Sequence, residues 1–239
     1  MLKYILFDLD GTLLPMDQDA FTKIYISALC KKMSKFGFEP HQLGRSIWKG
    51  VGYMIENDGN ATNEELFWKS FEADYGDDAR KYIPEFEEFY KNEFDLARAA
   101  SNQNEFVPQM IKILKEKGLK LVVATNPIFP EIATNRRILW AGLDKNDFEL
   151  VTTYENSKSA KPNLKYYQDI LDYIHAKPEE CLMVGNDVSD DMVARKLGID
   201  VFLITKCLIN YENEDISAYN HGDFENLVEY IDKKLQNHA

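Results

Sequence analysis

The 239-residue sequence is poor in cysteine and short of positive charge. Its three cysteines, Cys30, Cys181 and Cys207, are widely spaced and odd in number, which excludes a disulfide framework and a cysteine-based zinc pattern. They are expected to be isolated buried thiols of a protein in a reducing cytoplasm. Lysine and arginine number 28 against 40 aspartates and glutamates, a formal net charge of −12. That balance disfavours nucleic acid as a general partner, because phosphate contacts need clustered cations. No stretch approaches the roughly 18 apolar residues of a membrane helix. The apolar run at the N-terminus is short and broken by Asp8 and Asp10, so no signal peptide is expected. The histidines show no ligand spacing, and there is neither an internal repeat nor a low-complexity linker. What the chain does have is core material: 45% apolar and 13% aromatic residues. The length suits one large domain or a domain carrying an insertion.

The stretch "YILFDLDGTLL", residues 4–14, begins with a buried-strand pattern and runs into two aspartates one residue apart. Strand side chains alternate faces, so Asp8 and Asp10 tend to converge at the strand's carboxyl end. Two carboxylates that close repel and are costly to desolvate, which calls for a cation beside them. Downstream, residues 19–36, 40–57, 62–74 and 79–98 read as helices with no strand among them. From about residue 106 strands and helices alternate. A helix begins at Phe106, followed by the strand "LKLVVATN", a helix over 129–141 and a short strand near 148–153. A helix over 163–176 precedes the strand "CLMVGND", a helix over 189–197 precedes "DVFLIT", and a last helix covers about 223–236. The pattern predicts an α/β fold, a doubly wound parallel sheet with an all-α insertion. Residues 1–15 and 101–239 form the expected core, and 16–100 the inserted helical domain.

Such sheets bind ligands beyond the carboxyl ends of their strands. Asp8 and Asp10 end the first strand, Thr125 and Asn126 the second, and Asp187 the "CLMVGND" strand, with Asp190 and Asp191 just after. Lys161 lies between the last two strands, before a proline. Taken singly, each has a plainer reading: a helix cap or turn for Thr-Asn, a solvated lysine, first-turn acids on a helix dipole. Their joint placement on one sheet edge is what points to a site.

"DLDGT", "VVATN", "KP" and "GNDVSDD", in that order, resemble the four motifs of the haloacid dehalogenase superfamily, and the helical insertion resembles its C1 type of cap. The resemblance covers nearly the whole chain. It implies a Rossmann-like core and a Mg2+-dependent phosphatase acting on a small phosphorylated metabolite through an aspartyl-phosphate. By that resemblance Asp8 is the nucleophile and Asp10 the general acid–base. Thr125, Asn126 and Lys161 face the phosphoryl group, with Thr12 a secondary candidate. Asp8, Asp10 through its carbonyl, and Asp187 hold Mg2+, and Asp191 supports Lys161 or a metal-bound water. The last motif departs from the common form: Asn186 follows Gly185, and the acid comes one place later. Asp187 is preferred over Asn186 because a carboxylate suits Mg2+ better than an amide.

Asp10 argues against a haloalkanoate dehalogenase, whose first motif lacks it, and a phosphonate hydrolase departs at the same place. A phosphosugar mutase keeps both acids and stays open. A receiver-like signalling protein fits poorly with the long insertion, and a binding-only protein with the presence of both acids. Arg45 and Lys49 share a predicted helical face; a solvated basic face is the favoured reading, contact with an anionic substrate tail the other.

Overall fold

The computed structural model describes residues 1–236. Six parallel strands form one sheet in the order β3-β2-β1-β4-β5-β6. They are β1 (Tyr4–Phe7), β2 (Lys120–Val123), β3 (Leu150–Val151), β4 (Cys181–Gly185), β5 (Asp200–Ile204) and β6 (Asn220–Gly222). β1 is central, with Phe7 opposite Val123 on one side and Val184 on the other. Its four residues are all buried because both sheet faces are covered. Ile5 and Phe7 pack into one hydrophobic layer, Tyr4 and Leu6 into the other. The chain moves outward from β1 through β2 to β3, then returns beside β1 as β4. Strand order therefore reverses between β1 and β4, where this architecture opens a crevice.

The helices that follow β1 are α1 (Gln18–Met33), α2 (Pro40–Ile55), α3 (Asn63–Tyr75) and α4 (Ile83–Lys91), with no strand among them. The helices after them are α5 (Phe106–Glu116), α6 (Glu131–Trp140), α7 (Leu164–Ile174) and α8 (Phe224–Gln236). The two chain crossings at the ends of the helical block run side by side: Met16 bridges Ser101, and Asp17 N donates to the Ala100 carbonyl at 3.0 Å.

The structure departs from the sequence pattern in several places. Residues 79–98 are not one helix. Pro84 opens α4, and a 3-10 turn follows at Glu93–Ala100. The break falls at Asn92, whose Nδ2 donates to the Glu88 carbonyl at 3.0 Å and so competes with the helix's own bonding. The expected helix over 189–197 is a 3-10 segment, Met192–Leu197, ended by Gly198 in a left-handed conformation. β6 was not expected at all. Cys207 is half-buried rather than buried, while Cys30 and Cys181 are buried, and all three are free.

Two glycines are dictated by close approach. Gly11 has φ +88°, and a Cβ there would lie 2.5 Å from Asn186 Nδ2. Gly185 has the Asp191 carboxylate packed against it. Gly37 provides an internal comparison, with φ +89° but open space around it. Gly37→Ala should cost about 1–2 kcal/mol from backbone strain alone. Gly11→Ala should cost measurably more in urea unfolding, because Asn186 must move as well; equal losses would show that Asn186 yields freely.

Candidate active site

The carboxyl ends of β1, β2 and β4 open onto a cavity of about 330 Å3. Asp8, Asp10, Thr125, Asn126, Lys161, Asn186, Asp187, Asp190 and Asp191 all line it, so residues of all four sequence motifs meet at the cavity. Lys161 is buried. Its Nζ donates to Asp8 Oδ1 at 2.8 Å and to Asp191 Oδ1 at 2.6 Å. Burial opposes its charge, but the two facing carboxylates outweigh it and hold the ammonium well above its usual range. Asp191 Oδ2 in turn accepts from the Asp187 amide at 3.0 Å, which fixes the loop after β4. Asp187 Oδ1 accepts from the Ser189 and Asp190 amides at 2.8 and 2.9 Å, and among the described residues Oδ2 makes no hydrogen bond.

Asn186 is differently employed. Its Oδ1 accepts from Thr12 Oγ1 at 2.9 Å, and its Nδ2 donates to the Cys207 carbonyl at 2.6 Å. Both ends of the amide are engaged in joining the turn after β1 to the loop after β5. Thr12 is thereby a partner of Asn186, and it does not line the cavity. Thr125 is held through its backbone: its carbonyl accepts from Thr152 Oγ1 at 2.7 Å and from the Tyr166 hydroxyl at 2.8 Å. Asn126 Nδ2 reaches Asp190 Oδ2 at 3.4 Å.

The acids are crowded and dry. Burial pushes Asp8 up to about 7, Lys161 opposing and Asp191 adding to the rise. Burial also pushes Asp190 up to about 6 and raises Asp10 and Asp187. Asp10 Oδ1 is buried without a hydrogen-bond partner. These are hard oxygens short of positive charge, which is the donor chemistry that suits Mg2+. Among the described residues no three His, Cys, Asp or Glu side chains are grouped to hold a metal by themselves. Mg2+ usually keeps several waters, so the Asp8 and Asp187 carboxylates and the Asp10 carbonyl are the chain's groups that would hold it. The Asp10 carbonyl accepts from Gln18 Nε2 at 3.2 Å, leaving its second lone pair.

Sequence reasoning missed Arg137. This arginine of α6 is fully buried; Nη1 pairs with Asp10 Oδ2, and Nη2 donates to Thr134 Oγ1 at 3.2 Å. Its guanidinium carbon stands 4.2 Å over the Phe129 ring. The signal was present: Ala133, Arg137 and Ala141 recur at i, i+4 and i+8 along α6 and its C-cap, an apolar stripe where a cation needs a buried partner. Arg45 and Lys49, conversely, are not at the cavity. They border a separate surface depression with Gln42, Ser46, Ala73 and Asp74, and Lys49 Nζ pairs with Asp74 Oδ1 at 2.6 Å. They present the outward basic face that the sequence favoured.

Carboxylates delivered at the switch point of a doubly wound sheet, with a buried lysine locked against them, stand where such sheets bind their ligands. The chain belongs to the haloacid dehalogenase-like hydrolases, whose family model matches residues 2–198. A glyceraldehyde 3-phosphate phosphatase of Methanothermobacter thermautotrophicus is 26% identical over 90% of this chain and 91% of its own. A phosphoglycolate phosphatase of Aquifex aeolicus is 25% identical over 98% of this chain and 99% of its own. Among solved structures, a 2-haloacid dehalogenase of Pseudomonas syringae shares the fold with a TM-score of 0.62 at 17% identity, covering 98% of this chain and 99% of that one.

The Arg137–Asp10 pair gives a stability test. Arg137→Met removes the partner of a largely buried carboxylate and should cost about 3–5 kcal/mol in urea unfolding. Asp10→Asn leaves the guanidinium without its counter-charge. The double variant should lose clearly less than the sum of the two. Strict additivity would show that the pair is not coupled.

Proposed function

We propose that the protein is a Mg2+-dependent phosphatase that hydrolyses a small phosphate monoester through an aspartyl-phosphate on Asp8. The observation that carries this reading is the state of Asp8. Asp8 lines the cavity at the end of β1; Lys161 holds its Oδ1, while among the described residues Oδ2 makes no hydrogen bond. In the proposed reaction that oxygen attacks phosphorus and the ester P–O bond breaks. The departing alcohol takes a proton from Asp10, and Asp10 then removes a proton from the water that attacks the acyl-phosphate. Orthophosphate leaves and Asp8 is regenerated. Arg137 occupies Oδ2 of Asp10, so the unpartnered Oδ1 is the oxygen assigned to proton transfer. Lys161 and the Thr125 hydroxyl are assigned to the phosphoryl oxygens, with Asn126 beside them. Bound Mg2+, held by Asp8, Asp187 and the Asp10 carbonyl, would supply the charge that lets a phosphate dianion approach these acids. The two phosphatase relatives are consistent with this chemistry. Residues 16–100 are read as a cap over the site, hinged where Met16 meets Ser101. No helix of the described residues is long and apolar enough to cross a membrane, which accords with a metabolite as substrate.

Two measurements test the reading. Turnover of an aryl phosphate should require Mg2+ and vanish with excess EDTA, and Asp8→Asn should lower kcat by roughly a thousandfold or more. Rapid hydrolysis by Asp8→Asn would refute Asp8 as the nucleophile. For the metal, saturating Mg2+ should raise the Tm by on the order of 5–10 °C at a hundredfold excess over Kd. Asp187→Asn should lose most of that shift. Retention of the shift in Asp187→Asn, with its loss in Asn186→Ala, would transfer the ligand role to Asn186.

A further inference from the structure

The part of the cavity lined by residues 16–100 is mostly apolar. It is built chiefly from aromatic and aliphatic side chains, among them Phe21, Tyr25, Trp48, Phe67, Trp68 and Tyr90, with Gln18, Thr22 and the unpartnered Trp68 indole N–H as its neutral polar groups. In that stretch Glu87 is the one charged residue lining it, and Glu87 lies near Lys91, 3.5 Å away. No lysine or arginine of the helical block lines the cavity. Lys161, the cationic residue that does, is already bound by Asp8 and Asp191. Arg45 and Lys49 border the separate depression on the outer surface.

A second anionic group on the substrate, a carboxylate or another phosphate, would therefore meet aromatic faces, an acid and at most neutral polar groups, with no cation of the helical block to pair it. Burying an unpaired anion there is costly. An apolar group in the same place would gain by leaving water and by packing against rings. The volume, about 330 Å3, leaves room for a ring beside a phosphoryl group, since an apolar cavity of about 150 Å3 takes up benzene. We propose that the preferred substrate is the phosphate monoester of an uncharged, apolar alcohol, with a ring-bearing alcohol the best match. This rests on the phosphatase reading above for the reaction, but the cavity's preference is measurable without turnover.

Phosphonates, whose P–C bond is not cleaved, provide the probe. Trp48 and Trp68 line the cavity, so tryptophan fluorescence reports occupancy. In Mg2+-containing buffer, Kd should fall from methylphosphonate to butylphosphonate to 3-phenylpropylphosphonate, about three- to fourfold per methylene buried. Phosphonoacetate should bind no better than methylphosphonate. A flat series, or phosphonoacetate binding tighter than butylphosphonate, would overturn the proposal. Turnover adds a second arm with two esters of primary alcohols: kcat/KM for 3-phenylpropyl phosphate should exceed that for 2-phosphoglycolate by tenfold or more. The reverse preference would overturn the substrate class while leaving the phosphatase reading intact. The expected phosphonate ranking with no ester hydrolysed would sustain the cavity's preference and refute the phosphatase reading. Trp48 is 53% exposed, so Trp48→Ala should fold. It should weaken 3-phenylpropylphosphonate at least threefold more than methylphosphonate; equal weakening of the two would count against the proposal. Val51→Arg, on the same wall, should shift the ranking toward phosphonoacetate, and an unchanged ranking would likewise count against it.

Discussion

The contact on which the rest depends is the Lys161 ammonium held between Asp8 and Asp191, at 2.8 and 2.6 Å in a buried setting. Three charges out of water are expensive, and only mutual attraction with good geometry offsets the cost. Removing the lysine would leave two dry carboxylates facing each other. The triad also joins segments far apart in sequence: the end of β1, the loop before α7 and the turn after β4. That turn is shaped to deliver Asp191. Gly185 lacks a side chain where the Asp191 carboxylate packs, and the Asp187 amide donates at 3.0 Å to Oδ2 of that carboxylate, the oxygen Lys161 does not bind. The orientation of Asp187 follows from the same loop.

Topology explains why these segments meet. Because β4 returns beside β1, the carboxyl ends of the two strands are neighbours, and the reversal leaves a crevice between them. The residues after β2 join from the other side of β1. The helical block reaches this edge through hydrogen bonds to loops of the sheet. Asn63 is buried, and its Nδ2 donates to the Pro127 carbonyl at 2.9 Å and the Ser159 carbonyl at 3.2 Å. Its backbone amide donates to the Ser157 carbonyl at 2.8 Å. One asparagine thus ties α3 to the loops that follow β2 and β3.

The parts legible in the sequence are those where chemistry and pattern coincide. Tyr4–Phe7 is a run too apolar to be anything but buried, and acids following such a run stand out. The alternation after residue 106 gave the parallel sheet for the same reason. β6 was not legible, because Asn220–Gly222 is short, polar and largely exposed at the sheet's edge. Its pairing with β5 is decided by the tertiary fold rather than by local pattern. The break at Asn92 depends on a side chain finding a carbonyl, which helical spacing does not register. Arg137 was passed over because a surface arginine is the ordinary expectation, although the alanines four residues to either side already marked its stripe as apolar. Arg45 and Lys49 show the converse: spacing put them on one face correctly, but spacing alone does not say which way a face points.

Arg137 also connects the two halves of the cavity. Its guanidinium pairs with Asp10 on one side and covers the Phe129 ring on the other. Phe129 belongs to an aromatic cluster shared with the helical block: its ring centroid is 5.4 Å from that of Tyr25 and 6.1 Å from that of Phe21. Tyr25 continues the contact to Phe94 at 5.7 Å, and Phe94 stacks on Trp140 of α6 at 5.1 Å. Packed interiors transmit displacement because they hold little free space. A shift of α1 that moved Tyr25 would press on Phe129, and Phe129 bears on the arginine that orients Asp10. The apolar wall and the charged wall are therefore not independent. The rings that shape the proposed leaving-group space also brace the carboxylate proposed to protonate that group.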